Sequence, residues 1–432
     1  MENLLPTISI VISVYNCEIY IREMLDSILS STFKEWECIL IDDASTDNTW
    51  DVIQSYVDKR IISFKNERQE GLTKNLNKGI SKARGKYIVR VDGDDIVYPD
   101  RFEKQVRFMD NNPDILLSGC SMQYFGKRYD IAKANISSDK ELRVRLLFNP
   151  VIMHPTFIVR KEVLDKWNIR YNEKLRYAQD YDLLYQIIQY GRIANISDVL
   201  VKYRVHDAQI SIEKKDEQKA CANFTRKKIL ELLDIELKDQ EKDSWVKYCL
   251  SEYGEINDED KQIILELQKN IIEKNQKILF FDEEILKKIF NEKNKYMDSG
   301  FRSSHYKMLS EKHLTLFRIA NQWLSAKQDN KNIADYLLNK GYKNIAIYGL
   351  GYIGRTLLKE LKGTEILVYY VIDNSVEATE DDSVSVYNMN DSLEVVDAVI
   401  VTAVTWFDEI KEQLSKKLDC DIISFEQIVY EM

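Results

Sequence analysis

Three carboxylates close one short apolar run. Lys86-Tyr87-Ile88-Val89-Arg90-Val91 leads directly into Asp92-Gly93-Asp94-Asp95. Like charges crowded at a strand end are costly, because each makes the next harder to ionise. A divalent cation offsets that cost, and Mg²⁺ and Mn²⁺ favour carboxylate oxygen. An Asp-x-Asp here suits a metal that faces a phosphorylated ligand. A plain surface turn has the same composition, since Asp and Gly are also turn formers. The surrounding chain has to decide. Two other apolar runs also end in polar groups: Ile8 to Val14 ends at Tyr15-Asn16, and Glu37 to Ile41 ends at Asp42-Asp43.

The elements that would position these groups follow from periodicity. Ile8–Val14 is nearly continuous β-branched sequence, as expected of a parallel strand buried on both faces. Helical spacing follows in Ile21, Leu25, Ile28 and Leu29, and again after Asp47 in Trp50, Ile53, Tyr56 and Val57. Ile61 to Phe64 is a third strand, Leu72 to Ala83 a third helix, and Pro99 opens the next helix at a favoured first-turn position. Strand and helix alternate four times, which predicts a doubly wound α/β sheet. Ligands of such sheets bind outside the carboxyl ends of the strands, so the three polar strand ends should converge in one crevice.

Beyond Pro113 the pattern is mixed. Strands are expected at Ile115–Ser121, Thr156–Arg160 and Val199–Val205, with helices at Lys140–Phe148 and Asp180–Tyr190. From about Ser211 to Asn339 the chain is rich in Lys, Glu, Ile and Leu and nearly free of Gly and Pro, which predicts a helical connector or bundle packing on its own apolar stripe. Near Asn344 a strand, Ile345–Tyr348, runs into Gly349-x-Gly351-x-x-Gly354 and a helix, and a second strand ends at Asp373. This is the pattern of a small Rossmann-like α/β unit, with Asp373 where a ribose-binding acid belongs. The expected organisation is residues 1–211, 212–340 and 341–432.

With 432 residues, 44% hydrophobic and 31% charged, the chain is long enough for two or three cores. A net charge of −10 argues against a nucleic-acid partner. Six cysteines without paired spacing fit reduced thiols better than disulfides or zinc. No basic, apolar leader opens the sequence and no apolar run approaches bilayer length, so a cytoplasmic protein is expected.

Taken together, the motifs from about Ile8 to Ser211 resemble bacterial glycosyltransferase family 2, the nucleotide-sugar-dependent enzymes of the GT-A fold. They are Val-Ile-Ser-Val-Tyr-Asn (11–16), Ile-Asp-Asp-Ala-Ser-Thr-Asp (41–47), Gly-Leu-Thr-Lys-Asn-Leu-Asn-Lys-Gly-Ile (71–80) and Ala-Arg-Gly-Lys-Tyr-Ile (83–88). Val-Asp-Gly-Asp-Asp (91–95), His-Pro-Thr (154–156), Ala-Gln-Asp-Tyr-Asp-Leu (178–183) and Tyr-Arg-Val-His (203–206) follow in order. The resemblance implies a GT-A doubly wound mixed sheet for this stretch, beside the helical middle region and the second small unit read from periodicity. It implies an inverting hexosyl- or N-acetylhexosaminyltransferase that uses a UDP-sugar with Mn²⁺ or Mg²⁺ and delivers the sugar to a glycan or lipid-linked hydroxyl in polysaccharide biosynthesis.

The resemblance also implies roles. Tyr15 and Asp43 would line the base, Asp92 the ribose, and Asp94 with His206 the metal. Lys74 would lie near the diphosphate, although a solvated helix lysine reads the same. Asp180 would be the general base, in a Gln179-Asp180 pair where the family more often has Glu-Asp. Asp182, about 200° round the helix, is the rival. His154 would lie on the acceptor side or serve as a buried structural histidine. Independently of the resemblance, the spacing of Gly349, Gly351, Gly354 and Asp373 fits a second nucleotide site. The competing reading makes that second unit a nucleotide- or NAD-binding regulatory or redox module beside an inactive transferase-like domain. Peripheral membrane association at the inner face and homo-oligomerisation complete the expectations.

Overall fold

The computed structural model describes residues 5–206, 215–298, 303–373 and 384–432. The chain divides into two compact units, Met1–Ser303 and Ser304–Met432. The boundary expected at residue 211 lies outside the described residues.

The first unit is built on one mixed sheet of nine strands: β1 Ile8–Val14, β2 Trp36–Asp42, β3 Ile61–Lys65, β4 Tyr87–Arg90, β5 Ile96–Val97, β6 Ile115–Gly126, β7 Ile131–Ala132, β8 Ile158–Arg160 and β9 Arg192–Val205. Their spatial order is β3-β2-β1-β4-β8-β6-β9-β5, with β7 paired to β6. β1 pairs in parallel with both β2 and β4, and β2 with β3, as the crossover helices require. β8 enters antiparallel to β4 and β6. The result is the expected doubly wound mixed sheet.

Register places the chemistry. Val14 pairs with Asp42 and Val11 with Arg90, so the carboxyl ends of β1, β2 and β4 lie along one edge. β1 and β2 are buried almost throughout, consistent with their largely apolar sequence. Gly93 is set by the same packing: a Cβ there would lie 2.5 Å from the Val14 Cγ1. Only glycine lets the loop after β4 pass this close to the end of β1.

The helical middle region divides between the units. Helices Lys215–Glu231, Asp239–Cys249, Asp258–Ile278 and Glu283–Asp298 belong to the first. Their apolar stripe is not satisfied within a bundle alone. Ile229, Trp245, Ile264 and Phe290 share one hydrophobic cluster with Phe148, Tyr181 and Leu184 of the sheet domain. Helices Ser303–Gln328 and Ile333–Asn339 belong to the second unit, where Ile319, Trp323 and Leu337 pack with Ile345, Leu357 and Phe425.

The second unit carries five parallel strands: β10 Asn344–Tyr348, β11 Leu367–Ile372, β12 Ser385–Tyr387, β13 Ala398–Val401 and β14 Asp421–Ser424. Their order is β12-β11-β10-β13-β14, so chain direction across the sheet reverses beside β10. The glycine loop leaves β10 at this switch point. No described helix is long and apolar enough to cross a membrane.

Candidate active site

The acidic loop after β4 sits over buried cations. Asp92 is ion-paired to the Arg90 guanidinium, which is itself only 3% exposed. Below it, Arg101 is fully buried and donates from Nη2 to the carbonyls of Arg90 and Pro155, both at 2.8 Å. Burial pulls the Arg101 guanidinium down to about 10, opposed by the nearby acids including Asp95 and Asp92. Asp95 is buried at the root of the loop and accepts the Arg204 amide at 2.9 Å. Burial first, then Asp92 and Asp94, push its carboxyl well above the usual range. Desolvation likewise raises Asp92, held back by Arg90 and pushed further by Asp94. Like charges nearby thus add to burial in raising Asp92 and Asp95.

Asp94 and His206 meet across the cleft, with Oδ2 and Nε2 2.9 Å apart and both side chains about one-fifth exposed, at 22% and 20%. His206 follows the end of β9, so 112 residues of chain separate the partners. The Tyr20 ring lies 4.9 Å from the His206 ring, and the Arg204 guanidinium is held between the rings of Tyr20 and Phe125 at 4.7 and 4.3 Å. Arg204 also donates from Nε to the Asp94 carbonyl at 2.8 Å. Carboxylate oxygen with imidazole nitrogen is a donor set that fits Mn²⁺ or Mg²⁺. Among the described residues no three His, Cys, Asp or Glu groups converge as a closed metal cage. Two protein ligands with the rest supplied by phosphate and water is the arrangement usual for Mg²⁺ sites.

The neighbouring strand end is held by polar zippering. The Asn16 side chain accepts the Thr46 amide at 2.9 Å, the Ser45 hydroxyl accepts the Asn16 amide at 2.9 Å, and Thr49 Oγ1 accepts the Cys17 amide at 2.7 Å. Tyr15, 43% exposed, projects from this frame. Asp43 is almost buried. Its Oδ1 accepts from Asn66 Nδ2 at 2.9 Å and the Glu70 amide at 2.8 Å, and its Oδ2 accepts the Gly71 amide at 2.9 Å. Burial pushes the Asp43 carboxyl up, but these donors outweigh it and hold it below its ordinary value. Lys74 stands exposed on the helix Leu72–Lys82. One turn on, Lys78 donates to the Asn66 Oδ1 at 2.6 Å and so reaches the network around Asp43.

On the facing side, Ala178 takes a left-handed conformation (φ 54°) and starts the helix Gln179–Ile187, with Asp180 in its first turn. Burial raises the Asp180 carboxyl. The first-turn amides of Tyr181 and Asp180 itself lower it, Asp92 raises it and Arg90 lowers it. Asp180 therefore lies within electrostatic reach of the Asp92–Arg90 pair, although 88 residues separate it from Asp92. Asp182 points elsewhere: it is 4% exposed and accepts from Gln186 Nε2 at 2.7 Å. His154 is hydrogen-bonded through Nε2 to the Tyr171 hydroxyl at 2.8 Å and packs edge-on to Phe157. Burial, reinforced by Arg90, holds its imidazole far below its ordinary pKa, so His154 is neutral.

Asp92, Asp94 and His206 are thus gathered beyond the carboxyl end of β4, with Asp43 and Tyr15 on the adjoining strand ends and Asp180 in the first turn of the helix Gln179–Ile187. Sequence reasoning missed Arg90, Arg101, Asn66 and Lys78. Arg90 left a usable signal, since a lone cation inside the apolar run Ile88-Val89-Arg90-Val91 needs a buried partner.

In the second unit Gly349 has φ 96°, and a Cβ on Gly354 would lie 1.9 Å from the Gly349 carbonyl, so the loop closes onto its own helix. A Cβ on Gly351 would meet nothing within 4 Å. The Asp373 carboxylate accepts the Leu350 amide at 2.6 Å and ties the end of β11 to the loop.

The sequence matches the family model described as glycosyl transferase family 2 over residues 9–167. It is 34% identical over 242 residues to an uncharacterized glycosyltransferase of Haemophilus influenzae, spanning 53% of this chain and 73% of that protein. It is 31% identical over 210 residues to the Escherichia coli UDP-Glc:alpha-D-GlcNAc-diphosphoundecaprenol beta-1,3-glucosyltransferase WfaP, spanning 48% of this chain and 80% of that one. Among solved structures it is similar to S. aureus TarS 1–349 in complex with UDP-GlcNAc, at 19% identity and a TM-score of 0.47, covering 68% of this chain and 89% of that chain. A third of the residues are shared along nearly three-quarters of one such relative, and the family model begins one residue into β1 and runs past β8. The chain belongs to glycosyltransferase family 2 and is a glycosyltransferase.

Proposed function

We propose that the first unit transfers a sugar, with inversion, from a UDP-sugar to a hydroxyl of a surface glycan or lipid-linked acceptor, and that it needs a divalent metal to do so. The observation that carries this reading is the meeting of the Asp94 carboxylate and the His206 imidazole, 2.9 Å apart beyond the end of β4, a donor pair suited to a divalent cation, with Asp180 in the first turn of the helix Gln179–Ile187 as the base. A base near a donor site is what transfer to a hydroxyl requires. In this reading Tyr15 and Asp43 hold the base, Asp92 faces the ribose, and Asp94 with His206 would hold Mn²⁺ or Mg²⁺. A metal bound there would neutralise charge on the leaving diphosphate as a Lewis acid. Lys74 lies on the diphosphate side, with Lys78 better tethered to the network. Asp180 accepts the acceptor proton as the hydroxyl attacks the anomeric carbon in line, and neutral His154 lines the acceptor side with Tyr171.

The relative WfaP, named for a UDP-Glc donor and a diphosphoundecaprenol-linked acceptor, supports this choice of substrate classes. A lipid-linked acceptor would bring the protein to the inner membrane face peripherally. The Rossmann-like second unit, with Gly349, Gly351, Gly354 and Asp373, would bind a nucleotide in a supporting role. A panel of nucleotide-sugars with and without Mn²⁺, read by thermal shift, tests the reading, because a ligand that binds only the native state raises the melting temperature. UDP-sugars with Mn²⁺ should give the largest rise. No response to any of them would sink the proposal.

A further inference from the structure

Arg90 is the cation around which both halves of the cleft are arranged. It ends β4, where its amide donates to the Phe157 carbonyl at 3.0 Å and its carbonyl accepts from Arg101 Nη2 at 2.8 Å. The backbone is therefore fixed from both sides. The guanidinium divides its donors between the Val91 carbonyl and the Asp92 carboxylate, while buried Nε has no hydrogen-bond partner among the described residues. A buried ion pair is a poor stabiliser, because desolvation of both charges offsets their attraction. An arginine that keeps one donor unsatisfied in order to reach Asp92 is poor packing, and its value lies in what it orients. Arg90 also lines a small apolar cavity of about 10 Å³ together with Tyr171 and with Leu183 of the helix that carries Asp180. The strand that presents Asp92 and the helix that presents Asp180 thus meet at this side chain.

We infer that Arg90 is a positioning residue for transfer: its guanidinium fork aims the Asp92 carboxylate at the donor, and its charge balances the acids that face Asp180. The inference rests on the reading of Asp180 as the base and Asp92 as a donor contact. Among the described residues, Asp180 feels the charges of Asp92 and Arg90 from the β4 end and itself acts on Tyr171 of the preceding segment, while Asp182 accepts a hydrogen bond from Gln186. Arg90 is the cation in that set. Its removal leaves Asp92 to act on Asp180 unopposed, and Asp180 then holds its proton more tightly. Lysine cannot replace it, because an ammonium lacks the fork that serves Val91 and Asp92 together.

The test uses the full chain and follows sugar transfer from a UDP-sugar with Mn²⁺ as a function of pH. Arg90→Gln should move the acid limb of kcat upward by about one pH unit. Arg90→Lys should leave that limb in place but raise the donor KM by about ten- to a hundredfold, the scale of a lost hydrogen bond to a charged group. A merely structural role would lower the amount of active protein without moving the limb or splitting KM from kcat. An unmoved limb in Arg90→Gln, or an unchanged donor KM in Arg90→Lys, overturns the inference. If Arg90→Gln does not fold, the Lys variant decides alone. Asp180→Asn is run in parallel: loss of turnover there keeps the underlying reading intact while Arg90 is judged, and retained turnover overturns that reading instead.

Discussion

Asp180 and Asp43 are both carboxylates near the same cleft, and their surroundings push them in opposite directions. Asp180 is raised, mainly by burial and with help from Asp92. A base works only when deprotonated, so activity should rise with pH through the raised value and fall on the acid side. A kcat profile from about pH 4 to pH 8 should place its acid limb above the ordinary carboxylate range. Asp180→Asn should cut turnover by about 10²- to 10⁴-fold with donor KM little changed. Asp43 is lowered because the Glu70, Asn66 and Gly71 donors outweigh its burial. Its contribution to stability is fully present above the unfolded value and is lost as pH falls through the lower folded value. Asp43→Ala leaves three inward donors unsatisfied and should cost about 1–3 kcal/mol of stability by chemical denaturation near neutral pH. An unchanged denaturation midpoint would contradict that account of Asp43. Asp43, Asp92 and Asp94 were legible in the sequence because each follows an apolar run that stops abruptly, whereas Asp180 was legible only through the family resemblance. Lys78 and Arg101 were not, because long polar side chains on helices carry no mark of which way they fold back, and Asn66 reads as an ordinary loop residue after β3.

At the scale of elements, the edge formed by β1, β2 and β4 depends on close approach. Gly93→Ala would drive a methyl to within 2.5 Å of the Val14 Cγ1, and the loop that carries Asp92 and Asp94 would have to shift. Overpacking of this kind typically costs about 1–3 kcal/mol. The variant should lose stability and donor affinity together, and Val14→Ala in the same chain should restore part of both. No recovery in the double variant would show that the contact is not the cause. The first four strands could be read from sequence because their runs are mostly apolar and stop abruptly at polar residues. β9 was read as starting at Val199, whereas it begins at Arg192. Asn195, Ser197 and Asp198 interrupt its apolar pattern, and its pairing with β6 shifts register where they fall. Long-range pairing absorbs such irregularities, but a local pattern does not reveal them.

At the scale of the molecule, the apolar stripe of residues 215–298 was visible in sequence, but what covers it was not. The structure buries it on the sheet domain. Arg226, 2% exposed, donates from Nε to the Phe148 carbonyl at 2.7 Å, and the Asn149 side chain donates to the Cys249 carbonyl at 3.2 Å. Arg226→Ala would leave the Phe148 carbonyl and the Asn149 side-chain oxygen without their donor and open a buried void, and should destabilise the first unit by about 3 kcal/mol or more in a denaturant series. A surface-like effect below about 0.5 kcal/mol would mean that the helices are only an appendage.

The measurement that bears most directly on the whole account is calorimetric titration of UDP into the full chain in the presence of Mn²⁺. Wild type and Asp180→Asn should bind alike, since the base is not a donor contact. Asp94→Ala should bind at least about tenfold more weakly, and omission of the metal should weaken the wild type to the same level. Wild-type affinity in Asp94→Ala, or affinity indifferent to Mn²⁺, would contradict the claim that the acids after β4 hold a metal and a sugar-nucleotide diphosphate.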